Sequence, residues 1–178
     1  YSTHIYGCRV IQELLINCTN VQRTVLTHEL THKVSGLCRH QYGNYVIQKV
    51  LEMEENQKLI ALMVQGICDD IDTLVFDKFS SNVVEKCLFL LQGEPRLKLV
   101  CSILYPQHRK KREGYLSARM VCDQYANYII QTLLTVTTAN YRKDLVRQLQ
   151  ESVTPKELLK FSWGKQILGK IRCSAKNM

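Results

Sequence analysis

Hydrogen-bonding side chains recur at fixed spacing in four segments of this 178-residue chain. The segments share a nine-residue pattern: HIYGCRVIQ at 4–12, HQYGNYVIQ at 40–48, DKFSSNVVE at 77–85 and DQYANYIIQ at 123–131. We call the last five residues of each segment its core. Core positions one, two and five vary, and they carry amide, hydroxyl, carboxylate, thiol, guanidinium or tyrosine groups. These groups can donate and accept hydrogen bonds, and several of them are flat.

Core positions three and four are always Val or Ile in these four segments. On an α-helix, residues i and i+4 lie on one face with i+1 beside them, whereas i+2 and i+3 turn away. The pattern therefore predicts helices that bury positions three and four and project positions one, two and five together. A fifth copy, FSWGKQILG at 161–169, keeps the apolar pair but has Gly169 at position five, as expected of a terminal cap.

Amphipathic stretches between the cores predict a second helix in each unit. Apolar residues keep helical spacing at 25–37, 59–67, 97–104 and 145–149, and no strand alternation competes with them. Successive cores begin 36, 37, 46 and 38 residues apart, a period typical of a helical solenoid in which each unit packs against its neighbours. We therefore predict an all-α fold.

The segments YGCRVIQ, YGNYVIQ, FSSNVVEKC and DQYANYIIQ resemble the base-reading helices of the Pumilio (PUF) family of RNA-binding proteins. The order of the matches is similar to that of repeats five to eight of the usual eight, followed by the C-terminal cap. The resemblance implies a right-handed α-solenoid that binds single-stranded RNA with one base per repeat. It implies that residues 1–178 form a single partial repeat domain. The repeat units lie at about 1–18, 19–54, 55–92 and 93–138, and the cap lies at 139–178.

Under this resemblance, the variable side chains have two roles. Those at positions one and five face the base edges, and they are Cys8, Gln12, Asn44, Gln48, Ser81, Glu85, Asn127 and Gln131. Those at position two stack on the bases, and they are Arg9, Tyr45, Asn82 and Tyr128.

Donor and acceptor counts assign a base to each pair. An ionised Glu only accepts hydrogen bonds, which suits the N1–H and N2 amino donors of guanine, so Ser81 with Glu85 predicts guanine. The two Asn/Gln pairs both donate and accept, as uracil requires. Gln12 can pair with adenine, while compact Cys8 leaves room for contact with the ring. In the resembled family the RNA runs antiparallel to the protein, which gives 5′-UGUA-3′.

The resemblance also implies a biological role. Proteins of this family bind such elements in messenger RNA 3′ untranslated regions and cause translational repression or transcript decay through recruited factors. The net charge of +8 suits a polyanionic partner. The eight cysteines show no CxxC spacing and mostly lie among apolar residues, which predicts buried, reduced thiols of a cytoplasmic protein with no cofactor or metal. The chain contains no apolar run long enough for a membrane span.

An insertion, YPQHRKKREGY at 105–115, accounts for the longest spacing between cores. Its consecutive basic residues most simply indicate a solvated loop. The resembled family uses the corresponding loop, on the convex side, to contact protein cofactors, so the alternative is a partner site. Its residues would be Tyr105, Arg109, Lys110, Lys111, Arg112 and Tyr115.

Two other functions have some support in the sequence. The segment 28–32, HELTH, matches the HExxH helix of zinc hydrolases, but a catalytic zinc also needs a third protein ligand and a cleft. An armadillo-like peptide-binding scaffold would share stacked helices and a row of asparagines. The change from Gln to Glu at position five favours base recognition over a peptide clamp, and we predict that the protein is not an enzyme.

The first unit lacks a preceding amphipathic helix, because Tyr1 lies only a few residues before the first core. We therefore expect the chain to be a fragment. The apolar side of Val10, Ile11, Leu14 and Leu15 should lack a neighbour, so this unit should fray or associate with a partner.

Overall fold

The structure is a computed structural model that describes residues 1–106 and 114–176. All regular secondary structure in these residues is helical. The helices are α1 (Gly7–Asn17), α2 (Asn20–Thr31), α3 (Val34–Arg39), α4 (Gly43–Met53), α5 (Gln57–Asp69), α6 (Ile71–Leu74), α7 (Ser80–Leu90), α8 (Gly93–Leu104), α9 (Leu116–Val121), α10 (Ala126–Val136), α11 (Ala139–Ser152), α12 (Pro155–Leu158) and α13 (Gly164–Lys176). None of the helices in these two ranges is long and apolar enough to cross a membrane.

The longer helices form two stacked layers. Helices α1, α4, α7, α10 and α13 pack side by side in chain order, and we call them the front layer. Helices α2, α5, α8 and α11 pack in the same order as the back layer, and α11 also contacts α13. The short helices α3, α6, α9 and α12 adjoin the two layers. Since each unit packs mainly on its neighbours, the predicted all-α solenoid is confirmed.

The units that contain α4, α7 and α10 each include a short helix, α3, α6 or α9, that the sequence analysis did not predict. Apolar spacing at 25–37 predicted one continuous helix, but α2 ends at Thr31 and α3 begins at Val34. Val25 is 61% exposed, whereas Leu30 and Val34 are buried on either side of the break. The prediction was wrong because two helices that bury their ends in the same core produce the same apolar spacing as one helix.

The apolar pair of each core anchors its helix in the structure. Both members are fully buried in the second, third and fourth copies, at 46–47, 83–84 and 129–130. In the first copy Val10 is 58% and Leu14 48% exposed, because in the described residues α1 packs mainly on α4 and α2. Leu15 is nevertheless fully buried. The exposure of Val10 and Leu14 agrees with the expectation, and fraying of the unit stays a prediction.

The cysteines are less buried than the sequence predicted. Cys8, Cys38 and Cys87 are buried, but Cys173 is exposed and the other four are intermediate. Burial raises the pKa of the Cys38 thiol to about 12 because a thiolate would lose its solvation. The buried thiols thus behave as small apolar groups. The apolar neighbours in the sequence did not reveal which side of each helix a cysteine occupies.

A small residue begins each front helix, and in the second and third copies a backbone carbonyl lies close to it. A Cβ atom added to Gly43 would lie 2.8 Å from the carbonyl oxygen of Leu37, at the end of α3. In the third copy Ser80 occupies this place, and its hydroxyl donates to the carbonyl of Leu74 at 2.6 Å. The short helices therefore set where the front helices begin.

The side chain at the first position of the nine-residue pattern accepts hydrogen bonds from backbone N–H groups at the start of each of the first four front helices. Asp123 Oδ1 accepts hydrogen bonds from the backbone N–H groups of Tyr125 and Ala126, both at 2.8 Å. Asp77 Oδ1 makes the same pair of contacts in the third copy. In the first two copies the acceptor is the Nδ1 atom of His4 or His40. These contacts satisfy N–H groups that have no partner within the helix, and the sequence analysis assigned this position no role.

Replacing Asp123 with alanine removes the acceptor for both N–H groups at the start of α10. We expect the free energy of unfolding to fall by about 1 kcal/mol in the Asp123→Ala variant. Asp123→Asn keeps an oxygen acceptor and should retain most of the stability. Urea unfolding followed by circular dichroism measures the difference. Equal stability of the alanine variant and the wild-type chain would mean that water caps the helix as well as Asp123 does.

Candidate nucleic-acid interface

The variable core positions form a row along the front layer, and their exposure depends on the position. Position one is buried in all four copies, with side chains no more than 6% exposed. Position five is half-buried and position two is exposed. Each trio therefore combines a buried side chain, a half-buried polar side chain and an exposed, mostly flat one. The prediction that the three positions project together therefore holds for positions two and five but is wrong for position one, which is buried in the stack of front helices.

In the second and fourth copies, the asparagine at position one orients the glutamine at position five. Asn44 Nδ2 donates to the carbonyls of His40 and Gln41, and Asn44 Oδ1 accepts from Gln48 Nε2 at 3.0 Å. Asn127 and Gln131 make the equivalent contact at 3.1 Å. Within the described residues, each glutamine keeps one further N–H donor beside its Oε1 acceptor. An adjacent donor and acceptor are thus presented at the surface.

The third copy borders a cavity of about 220 Å³. Its lining combines the Ser81, Asn82 and Glu85 trio with Tyr128 from the next front helix. Lys78 and Tyr125 complete the lining, and neither was predicted as a site residue. Both lie in the nine-residue pattern just before a core, so the repeat itself could have indicated them. The cavity has a carboxylate at one side and flat side chains around it, and it can accept a planar ligand that donates hydrogen bonds.

Glu85 is oriented by a different residue from the two glutamines. Ser81 Oγ lies 3.5 Å from its acceptor, the Lys78 carbonyl, and makes no hydrogen bond with Glu85. Instead, Glu85 Oε1 accepts a hydrogen bond from Thr132 Oγ1 on α10 at 2.8 Å. Thr132 was not predicted as a site residue, because it belongs to another repeat and lies just outside the repeated pattern.

The first copy is engaged within its own helix and with its neighbour. Gln12 Nε2 donates to the carbonyl of Cys8 at 2.9 Å. The guanidinium carbon of Arg9 lies 5.9 Å from the ring centroid of Tyr45, within the range of a cation–π contact. The flat side chains of these two neighbouring front helices therefore lie close to one another.

Basic side chains accompany the row of trios. Lys49 contacts Glu52 at 2.6 Å on α4, and Lys86 on α7 contacts the same carboxylate. The ammonium groups of Lys49 and Lys86 hold the pKa of Glu52 below its usual range. Two lysines thus share one acid, which leaves net positive charge between α4 and α7. Such charge beside flat side chains suits a ligand that has both a polyanionic backbone and planar groups.

The ends of the 105–115 insertion are held on the back layer. Tyr105 donates a hydrogen bond to Asp144, and Tyr115 Oη donates to Glu151 Oε2 at 2.9 Å; both acids lie on α11. Burial, together with the neighbouring Asp144 carboxylate, raises the pKa of Tyr105 to about 12. These two tyrosines, predicted as partner-site residues, therefore have partners within the chain. The predicted basic residues 109–112 lie outside the described residues.

The HExxH segment spans the C-terminal end of α2 in the back layer, and His32 directly follows the helix. His28 and His32 are exposed, and their ring centroids are 4.9 Å apart in an edge-to-face arrangement. In the part of the chain that the structure describes, no group of three or more His, Cys, Asp or Glu side chains is arranged to hold a metal ion. The segment thus supplies two of the ligands of a zinc site without a third in these residues.

We expect the purified chain to carry no stoichiometric zinc, because two exposed imidazoles make an incomplete site. Elemental analysis of the wild-type chain and of a His28→Ala, His32→Ala double variant should give the same metal content. One zinc per chain, lost in the double variant, would support the hydrolase interpretation instead.

Comparison with known proteins supports the arrangement of the repeats. Residues 1–31, 33–63, 71–104 and 118–149 match the Pumilio-family RNA binding repeat. Each matched segment contains one helix of the front layer, from α1 to α10.

Similar proteins occur in plants and yeasts. The chain is 34% identical over 150 residues to putative pumilio homolog 10 of Arabidopsis thaliana, a match covering 84% of the chain and 26% of that protein. It is 29% identical over 170 residues to a Pumilio domain-containing protein of Schizosaccharomyces pombe, covering 96% and 23%. The chain thus spans about a quarter of the length of the curated relatives it matches.

Solved structures show the same fold. PUF-8 in complex with PBE-RNA is similar with a TM-score of 0.83 and 28% identity, covering 97% of this chain and 48% of that one. The Puf3 RNA binding domain bound to a Cox17 RNA 3′ UTR recognition sequence has a TM-score of 0.78 and 27% identity, covering 96% and 51%.

Proposed function

Because the chain belongs to the Pumilio family of RNA-binding repeat proteins, we propose that it binds single-stranded RNA along its front layer, with one base per front helix. The observation that carries the proposal is the trio geometry, which recurs in register on α1, α4, α7 and α10. In each trio the half-buried polar side chain at position five lies beside a buried first position and an exposed, mostly flat second position. A base edge can then reach the polar group while the ring of the base stacks on the flat one. RNA supplies the planar edges, the stacking faces and the negative charge that these side chains complement.

The side chains at position five assign a base to each helix. In the Asn/Gln copies the oriented glutamine offers a donor beside an acceptor, which matches the carbonyl and N3–H of uracil. In the third copy the Glu85 carboxylate faces the cavity and accepts hydrogen bonds, which suits the two adjacent donors of guanine. In the first copy, Gln12 and Cys8 suit adenine. The antiparallel direction of RNA in the family then gives 5′-UGUA-3′.

Each base would stack between side chains from neighbouring front helices. In the guanine cavity the flat groups are Asn82 of the third copy and Tyr128 of the fourth. Arg9 and Tyr45 are the corresponding pair between the first and second copies. We propose that Lys78, which is exposed and lines the cavity, contacts the RNA backbone.

The cellular role in the proposal is post-transcriptional regulation. One similar structure is described as bound to a 3′ UTR recognition sequence, which supports messenger RNA as the target class. We propose that the chain binds UGUA elements in 3′ untranslated regions in the cytoplasm, and that recruited proteins then repress translation or promote decay. The 105–115 loop is the proposed contact for such proteins, since its ends lie on the back layer, where bound RNA would not cover them.

A change of base preference at one position tests the proposal. Ser81→Asn with Glu85→Gln gives the third copy the same pair as its neighbours, so its preference should pass from guanine to uracil. Glu85 accepts both guanine donors with charge assistance, whereas an amide would present an N–H to one of them. We expect a discrimination of about 1 to 3 kcal/mol that reverses in sign in the double variant. Dissociation constants for RNAs with each of the four bases at that position measure it.

The same measurement separates the alternatives. The neighbouring uracil positions serve as the internal control, because the double variant leaves their pairs unchanged. A wild-type chain without guanine preference, or a variant weakened equally for all four bases, would mean that Ser81 and Glu85 are structural. An armadillo-like peptide scaffold predicts that outcome, since it needs no base preference.

Deletion of residues 107–113 tests the role of the loop. We expect RNA affinity to be retained and binding of a protein cofactor to be lost, because the ends of the loop contact α11 rather than the front layer. The affinity for UGUA RNA at two salt concentrations gives the first result. A large loss of affinity with a smaller dependence on salt would instead place the basic residues of the loop on RNA phosphates.

A further inference from the structure

We infer that Thr132 is a positioning residue for guanine recognition, although it belongs to the repeat assigned to uracil. Its hydroxyl orients the Glu85 carboxylate across the interface between two front helices, 2.8 Å from Oε1. This inference rests on the proposed function, because it concerns the fidelity of one base position in the RNA.

The threonine of this contact is buried, whereas the glutamate is half-buried and lines the cavity. Thr132 is 4% exposed, so its hydroxyl has little access to water. Glu85 Oε1 is its hydrogen-bond partner within the described residues. The glutamate is half-buried and lines the cavity together with Ser81 and Tyr128. The hydroxyl therefore holds the rear of a carboxylate whose front faces the cavity.

In the third copy the residue at position one does not orient the side chain at position five. In the second copy Asn44 orients Gln48 within one helix, and in the fourth copy Asn127 orients Gln131. The Oδ1 atom of an asparagine accepts, so it would repel a carboxylate at position five. Ser81 instead bonds weakly to the backbone carbonyl of Lys78 and makes no hydrogen bond with Glu85. A donor from the next helix replaces the missing contact.

Thr132 differs from the residues at the same place in other copies, directly after position five. Lys49 and Lys86 pair with Glu52 rather than with a position-five side chain. Lys170 donates to the Gln131 carbonyl and to the Thr135 hydroxyl. Among the described residues that directly follow position five, Thr132 is the one whose side chain makes a hydrogen bond to the position-five side chain of the preceding repeat. The short threonine side chain supplies a neutral donor at this place. A lysine side chain would bring a positive charge that competes with the guanine donors for the Glu85 carboxylate.

The hydrogen bond can increase discrimination without touching the RNA. A carboxylate has two oxygens with about four acceptor sites, and Thr132 occupies one of them. The remaining sites on Oε1 and Oε2 are then held in one plane and can accept the N1–H and N2 donors of guanine together. Without the hydroxyl, the Glu85 side chain would rotate among several rotamers, and the paired contact would form in only some of them.

Thr132→Val tests the inference, because valine has nearly the same shape as threonine but lacks the hydroxyl. Dissociation constants are measured for UGUA, UAUA, UUUA and UCUA RNAs. We expect the guanine preference of the wild-type chain to fall by roughly three- to tenfold, which is the loss of part of one charge-assisted hydrogen bond. Substitution of a uracil on either side of this position should cost the same as in the wild-type chain. Thr132→Ala, which removes the hydroxyl without putting a methyl group in its place, should lower the guanine preference in the same way.

Two variants control for effects on the fold. Thr137 is also buried on the C-terminal side of α10, but its hydroxyl bonds to the Leu133 carbonyl, so Thr137→Val should keep the guanine preference. Thr132→Ser keeps a hydroxyl and should restore most of it. In a Glu85→Ala background, Thr132→Val should produce no further change in base preference. Thermal unfolding of each variant confirms that it is folded.

The outcomes separate the inference from the proposed function. A wild-type chain that binds RNA without preferring guanine overturns the proposed function, and the role of Thr132 with it. A wild-type chain that prefers guanine, together with a Thr132→Val variant that keeps this preference, overturns only the role of Thr132. Equal weakening for all four bases would also overturn it, since Thr132 would then be only a packing residue.

Discussion

The rotation of each front helix about its own axis depends on the burial of two adjacent apolar side chains. In the second, third and fourth copies this pair is fully buried, and helix geometry then sets the face on which the remaining core positions lie. The side chains at positions one, two and five can change without moving the helix. This separation between an anchor and a variable surface allows one architecture to present different hydrogen-bonding groups in successive repeats.

Hydrogen bonds within and between repeats give the variable side chains their direction. The Asn/Gln pairs are organised within one helix, whereas Glu85 depends on Thr132 from the next helix. Lys86 likewise connects α7 to Glu52 on α4. The properties of a base position therefore belong to two neighbouring repeats rather than to one. Changing the identity of a single trio would then require attention to the residue that follows position five in the next repeat.

The open stack also makes each unit depend on its neighbours. A unit in the middle of the stack is covered on both sides, while Val10 and Leu14 of α1 remain largely exposed. The short helices contribute a further constraint, since the end of α3 lies against Gly43 and determines where α4 begins. The stability of each base position is thus coupled to the packing of the units beside it.

The sequence by itself determined the front helices, the repeat, the anchoring pairs of the inner copies and the exposure of core positions two and five beside them. Those features follow from the spacing of residues along one helix, which is local and visible in the pattern. The tertiary structure decided the break between α2 and α3, the support of the loop ends by α11 and the contact between Thr132 and Glu85, which are 47 residues apart. Such contacts depend on the offset between neighbouring helices, and the spacing of residues within a helix carries no information about that offset.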